Sequence, residues 1–121
     1  MIDYENAGLQ IVMPRGDRVS KSFVVRLSNG TPYLDTLDEI YFTVKKSYIQ
    51  SRVVFQKKYS EGWIQSLGNG RYQFTILPED TDGLPFGEYD FDIEIEKEGI
   101  LKRTFCGKLI LTEEVTHRVN E

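Results

Sequence analysis

An acid–base or nucleophilic site needs a proton acceptor beside its nucleophile, and histidine, the usual acceptor, occurs once in this chain, as His117 in the polar stretch EEVTHRVNE. One histidine and one cysteine, Cys106, fall short of the three or four soft ligands that a zinc site takes. Carboxylates are the remaining reactive groups, and they stand in two clusters. In EYDFDIEIEKEG the acids Asp90, Asp92, Glu94 and Glu96 alternate with Tyr89, Phe91, Ile93 and Ile95. On a strand they form a flat stripe at intervals of about 7 Å. Calcium needs oxygens converging at about 2.3 to 2.6 Å, so the stripe reads as a solvated face balanced by Lys or Arg across strands. The second cluster, Glu79, Asp80 and Asp82 in LPEDTDG, reads as capping its own backbone amides, and the later glutamate of an EF-hand loop is missing. No glycine-rich phosphate loop or dinucleotide fingerprint is present either. No catalytic, cofactor or metal residue is therefore assigned, and the reading is a protein that is not an enzyme.

The elements that carry these residues follow from period-two alternation. Besides residues 88–97, Ile40, Phe42 and Val44 alternate with polar neighbours in IYFTVKK, as do Tyr72, Phe74 and Ile76 in RYQFTIL. Weaker strands are expected at Leu9 to Met13, Phe23 to Leu27, around Val53 and Phe55, and at Phe105 to Leu111, with EGWIQ a short eighth. Between them Asn29-Gly30, Gly68-Asn69-Gly70 and Glu98-Gly99 supply tight reversals. Pro78 opens, and Pro85 ends, a single helical turn. Such a turn before GEYDF matches the pattern of a tyrosine corner, with Gly87 leading into the strand and Tyr89 as the anchor. The expectation is an all-β protein: an antiparallel immunoglobulin-like β-sandwich of about seven to eight strands with one short helical turn, residues 1–121 forming a single domain.

The 121 residues suffice for one core without metal or disulfide staples. With one cysteine there is no internal disulfide framework, as expected of a protein kept in a reducing cytoplasm. The first residues lack the basic and apolar regions of a signal peptide, and no run approaches the roughly 18 apolar residues of a membrane helix. A net charge of −4 opposes nucleic acid binding, although Lys45-Lys46, Arg52 and Lys57-Lys58 are interleaved with aromatics. The expectation is no nucleic acid and no membrane partner.

Two short features carry recognition readings. Arg15-Gly16-Asp17 has the composition of an integrin ligand, but reads as a bend in which Pro14 ends a strand, Gly16 turns, and Asp17 or Ser20 bonds nearby backbone. Trp63, Tyr48 and Tyr59 are candidates for stacking on sugars or touching a partner, although a lone tryptophan in a β domain usually sits in the core.

Several stretches in order resemble the immunoglobulin-like N-terminal domain family of baseplate upper proteins of tailed phages and prophages. They are MPRGDRVSKSFVVRL, NGTPYLDTLDEIYFTVKK, ILPEDTDGLPFGEYDFDIEIE and GKLILTEEVT, from about Gln10 to Thr116. The resemblance implies a non-enzymatic virion structural protein of tail, baseplate or head surface. It would be made in the bacterial cytoplasm and would act through contacts with other phage structural proteins or with its own copies. The alternative is a carbohydrate-binding or adhesin-like sandwich.

Overall fold

The computed structural model describes residues 9–46 and 52–113; within its strands, the side chains of residues 9, 103 and 104 are not described. Eight strands follow in order: β1 (Leu9–Pro14), β2 (Val19–Val24), β3 (Glu39–Lys45), β4 (Val53–Lys58), β5 (Ile64–Gly68), β6 (Arg71–Ile76), β7 (Gly87–Lys97) and β8 (Ile100–Thr112). A 3-10 turn, Tyr59–Glu61, joins β4 to β5, and one turn of helix, α1 (Pro78–Thr81), follows β6. The strands form a five-stranded sheet, β1-β8-β7-β3-β4, and a three-stranded sheet, β2-β6-β5. The two sheets make a β-sandwich: the chain crosses between them after β1, β2, β4 and β6, while β3–β4, β5–β6 and β7–β8 are neighbours within one sheet.

Alternation reports which face of a strand is buried, not which neighbour it bonds. Accordingly one pairing departs from the antiparallel expectation: β1 runs parallel to β8, from Leu9 opposite Gly107 to Pro14 opposite Thr112. All other described ladders are antiparallel, and β7 with β8 makes the longest. Their hairpin closes at Glu98 and Gly99, with φ of 55° and 81°.

The inward residues meet between the sheets. Phe42 on β3 stacks on Phe74 of β6 at 4.2 Å between ring centroids, and Phe23 of β2 meets Phe105 of β8 edge-on at 5.3 Å. These rings couple the layers directly, each contact adding to the hydrophobic gain of burial. Around them Ile11, Met13, Leu37, Ile40, Ile76, Tyr89, Ile93 and Leu109 complete the core.

Three expectations need correction. Asp90 and Asp92 are not solvated: they are 5% and 4% exposed, because β7 is the middle strand and these short side chains lie beneath longer neighbours. Lys57, grouped above with the basic residues interleaved with aromatics, is not on an exposed basic face: it pairs with Phe42 in register, projects from the inner side of β4 and is 5% exposed. Ser20 bonds not its own turn but the Thr75 hydroxyl across to β6, at 2.9 Å.

The 3-10 turn is tied to β3 through Glu39, whose carboxylate accepts from the Ser60 amide at 2.9 Å, the Ser60 hydroxyl, and its neighbour Ile40's amide at 3.1 Å. Partial burial alone would raise the Glu39 pKa, but these bonds and Lys58 outweigh it and hold the group below its usual value of 4.5. A depressed folded pKa means that this contribution is fully present above the unfolded value and lost as pH falls through the folded one. Glu39→Gln is therefore expected to flatten the stability profile only on the acid side of pH 4.5, as read by urea titrations at a series of pH values.

Candidate functional site

At one end of the sandwich the chain from α1 into β7 forms a joint that receives the turn after β1. The Tyr89 hydroxyl donates to the Pro85 carbonyl at 2.7 Å, closing the connection back on itself. Burial pushes the Tyr89 phenol pKa up, with Arg15 acting in the opposite sense. Gly87 enters the strand at φ 125°, a conformation that disfavours any side chain. Arg15 donates through Nη1 to the Leu84 carbonyl at 3.2 Å and lies 4.1 Å over the Phe86 ring. The Gly16 amide, at φ 84°, donates to the buried Thr81 hydroxyl at 2.9 Å, and the Asp17 amide donates to Pro14 at 3.3 Å. Arg15 and Gly16 are thus spent on holding the turn against α1. Replacing Tyr89 with Phe leaves the Pro85 carbonyl without this donor and is expected to cost about 1 kcal/mol in urea denaturation, with the far-UV spectrum unchanged.

A second cluster lies around Trp63, just ahead of β5. The Lys57 ammonium pairs with Asp80 at 2.7 Å and stands 4.4 Å from the Trp63 ring centroid. Asp80 also accepts from the Leu77 amide at 2.7 Å, so one carboxylate caps α1 and neutralises a buried cation. Trp63 is 45% exposed, not a core residue. Tyr59 packs edge-on against Tyr72 at 5.9 Å and is half-buried. No ring contact joins Trp63 to Tyr59 among the described residues, and Tyr48 lies outside them. The three aromatics singled out in the sequence therefore make no described platform.

The outer face of the five-stranded sheet holds the stripe of acids. Across it Lys108, Asp90 and Lys45 stand in register, as do Cys106, Asp92, Thr43 and Gln56. Lys108 bonds Asp90 at 2.7 Å, and the Gln56 amide donates to Thr43 at 2.9 Å. The hydrogen bond to Asp90 is the main reason the Lys108 pKa is raised, burial pulling the other way and the charges of Asp90 and Glu88 adding to it. Of the four acids, the two short ones, Asp90 and Asp92, are covered, while Glu94 and Glu96 reach further out. Cys106 is half-buried on this face.

At the opposite end from the tyrosine joint, the β7–β8 hairpin is stitched to the segment before β3. The Glu98 amide donates to Asp38 at 2.6 Å and Lys97 donates to the Thr36 carbonyl. Leu34 and Ile100 are exposed there, beside a groove lined by Leu27 and Tyr33. Among the described residues no three of His, Cys, Asp or Glu are grouped to hold a metal ion, and no helix is long and apolar enough to cross a membrane. His117 lies outside the described residues.

No protein-family model matches this sequence, and no curated protein matches it. Among solved structures, the X-ray structure of the endo-β-1,4-mannanase from Thermotoga petrophila is similar, with a TM-score of 0.54 at 20% identity. The match covers 90% of this chain and 18% of the mannanase chain, and at that identity the likeness is one of fold.

Proposed function

We propose that this chain is a non-enzymatic structural module of a tailed phage or prophage particle, acting through protein contacts at the tail, baseplate or head surface. The observation that carries the reading is how its polar groups are used. Lys57 is paired with Asp80, Lys108 with Asp90, Arg15 with the Leu84 carbonyl and Glu39 with Ser60. Each builds the scaffold, and none converges with others on a cleft, as a reacting group must. The stretches that resemble baseplate upper proteins fall on the same scaffold: the R-G-D turn against α1, and the D-T-x-x-L-x-x-G-x-Y stretch across the tyrosine joint. Work done by such a molecule is binding through its sheet edges, outer face and loop ends.

The test is to induce particles from the bacterium carrying the gene, purify them on a density gradient and quantify the chain by mass spectrometry. The expected result is a fixed copy number per particle that survives a high-salt wash. A chain found only in the soluble lysate, with none on intact particles, overturns the reading.

A second reading rests on the half-exposed indole of Trp63, held by the ammonium of Lys57. An exposed aromatic in a fixed orientation suits stacking on a sugar ring. The mannanase likeness adds a sandwich fold to this reading and no more. A glycan array with wild type and Trp63→Ala decides: retained binding to any glycan that the variant loses supports it, and a blank array for the wild type removes it.

A further inference from the structure

Among the described strands four lie at sheet edges, and they are not alike. β2 carries the exposed Lys21, β4 carries Lys58 and faces a register shift in its ladder with β3, and the ladder of β5 is interrupted between Ser66 and Gly68. Charges and bulges are the means by which an edge is kept from pairing with another chain. β1, LQIVMP, has neither. It is an uncharged run in unbroken register with β8, and Val12 on its outer face is 59% exposed.

The direction of its free groups follows from the ladder. The Arg15 amide donates to the Thr112 carbonyl, so the odd-numbered residues of this segment turn their N–H and C=O toward β8. Gln10 and Val12 therefore turn theirs the other way, to the side on which no described strand lies. The Pro14 carbonyl is taken by Asp17, and Pro14 has no N–H, which ends the available edge.

From this we infer that β1 is a self-association edge whose occupant is β1 of a second copy, running antiparallel about a two-fold axis at Ile11. In that register Gln10 faces the second copy's Val12, and each pair exchanges N–H···O=C bonds in both directions, as a hydrogen-bonded antiparallel pair does. The two five-stranded sheets become one continuous sheet. A second copy fits for two reasons. The contact is isologous, so the same groups satisfy one another and the assembly closes as a dimer. No like charges meet, because β1 carries no charged residue.

This association is independent of placement in a particle: a dimer in solution neither requires nor establishes the phage reading, and the particle experiment is silent on which edge is used. The measurement is sedimentation velocity of the full chain over a range from micromolar to near-millimolar concentration. Wild type is expected to show a monomer–dimer equilibrium. Val12→Lys, at an exposed position where the side chain needs no room in the core, places like charges at the junction and is expected to weaken association about a hundredfold or more. Gln10→Lys, on the same edge, is expected to do likewise, while Lys21→Ser on β2 leaves the dimer intact. Circular dichroism and melting of each variant confirm the monomer fold. A wild type that stays monomeric throughout overturns the inference, and so does a dimer that both β1 variants retain.

Discussion

Phe42→Ala is expected to be the most damaging single truncation in this protein, lowering the free energy of unfolding by about 3 to 5 kcal/mol. The ring is fully buried on β3 and makes contacts of three kinds. It stacks on Phe74 of the facing sheet at 4.2 Å, lies 5.4 Å from Phe91 on the neighbouring strand and 6.1 Å from Phe55 on the other side. Truncation loses the transfer free energy of the ring and leaves a cavity that aromatic neighbours from three strands cannot collapse to fill. Because domains of this size are stable by only about 5 to 15 kcal/mol, the variant stands close to unfolding at room temperature. Urea denaturation followed by tryptophan fluorescence measures the loss. A midpoint within experimental error of wild type would mean that the two sheets are not joined through this ring. Phe42→Leu, which keeps part of the volume, is expected to lose less than half as much.

The second large effect is at Lys57, where Lys57→Ala is expected to cost about 3 kcal/mol. Lys57 is the buried cation between Asp80 and the Trp63 ring, and its removal leaves a mostly buried carboxylate without its counter-charge. The Leu77 amide still bonds that carboxylate, which places the cost at the lower end of the range for broken buried pairs. A double-mutant cycle separates charge from packing. Lys57→Met keeps most of the volume but strands Asp80, whereas Lys57→Met with Asp80→Asn removes the charge conflict and is expected to recover at least half of the loss. Strict additivity of the two single variants would show that the pair carries no coupling. Trp63 fluorescence is expected to shift in Lys57→Met, because the ammonium over its ring is gone.

How much of this was legible beforehand differs from element to element. The strand around Tyr89 to Ile95 and the strands of Phe42 and Phe74 were readable because alternation over several residues has one physical solution, a sheet with a single buried face. The helical turn was readable because Pro78 can begin one and Pro85 must end it. Tyr89 as the anchor of the α1–β7 connection followed from the same local chemistry. The burial of Lys57, Asp90 and Asp92 was not readable. Lys57 sits in register with Phe42 only because β4 lies beside β3, and Asp90 is covered only because β7 ended between β8 and β3. A tryptophan after a glycine carries no local sign of whether a lysine six residues earlier will fold beneath it, so Trp63 could not be placed either.

By itself, then, the order of residues determined the class of the protein: short strands, their inward faces and the turns between them, all set by interactions within a few residues and by the hydrophobic gain of burying one side of each strand. Tertiary structure alone decided the parallel pairing of β1 with β8, the use of Arg15 and Gly16 to lock a turn onto α1, and the edge at Gln10 and Val12 beside which no described strand lies. Those outcomes depend on which strands become neighbours, and neighbourhood is a property of the whole chain, fixed by the way the aromatic faces of the two sheets pack together.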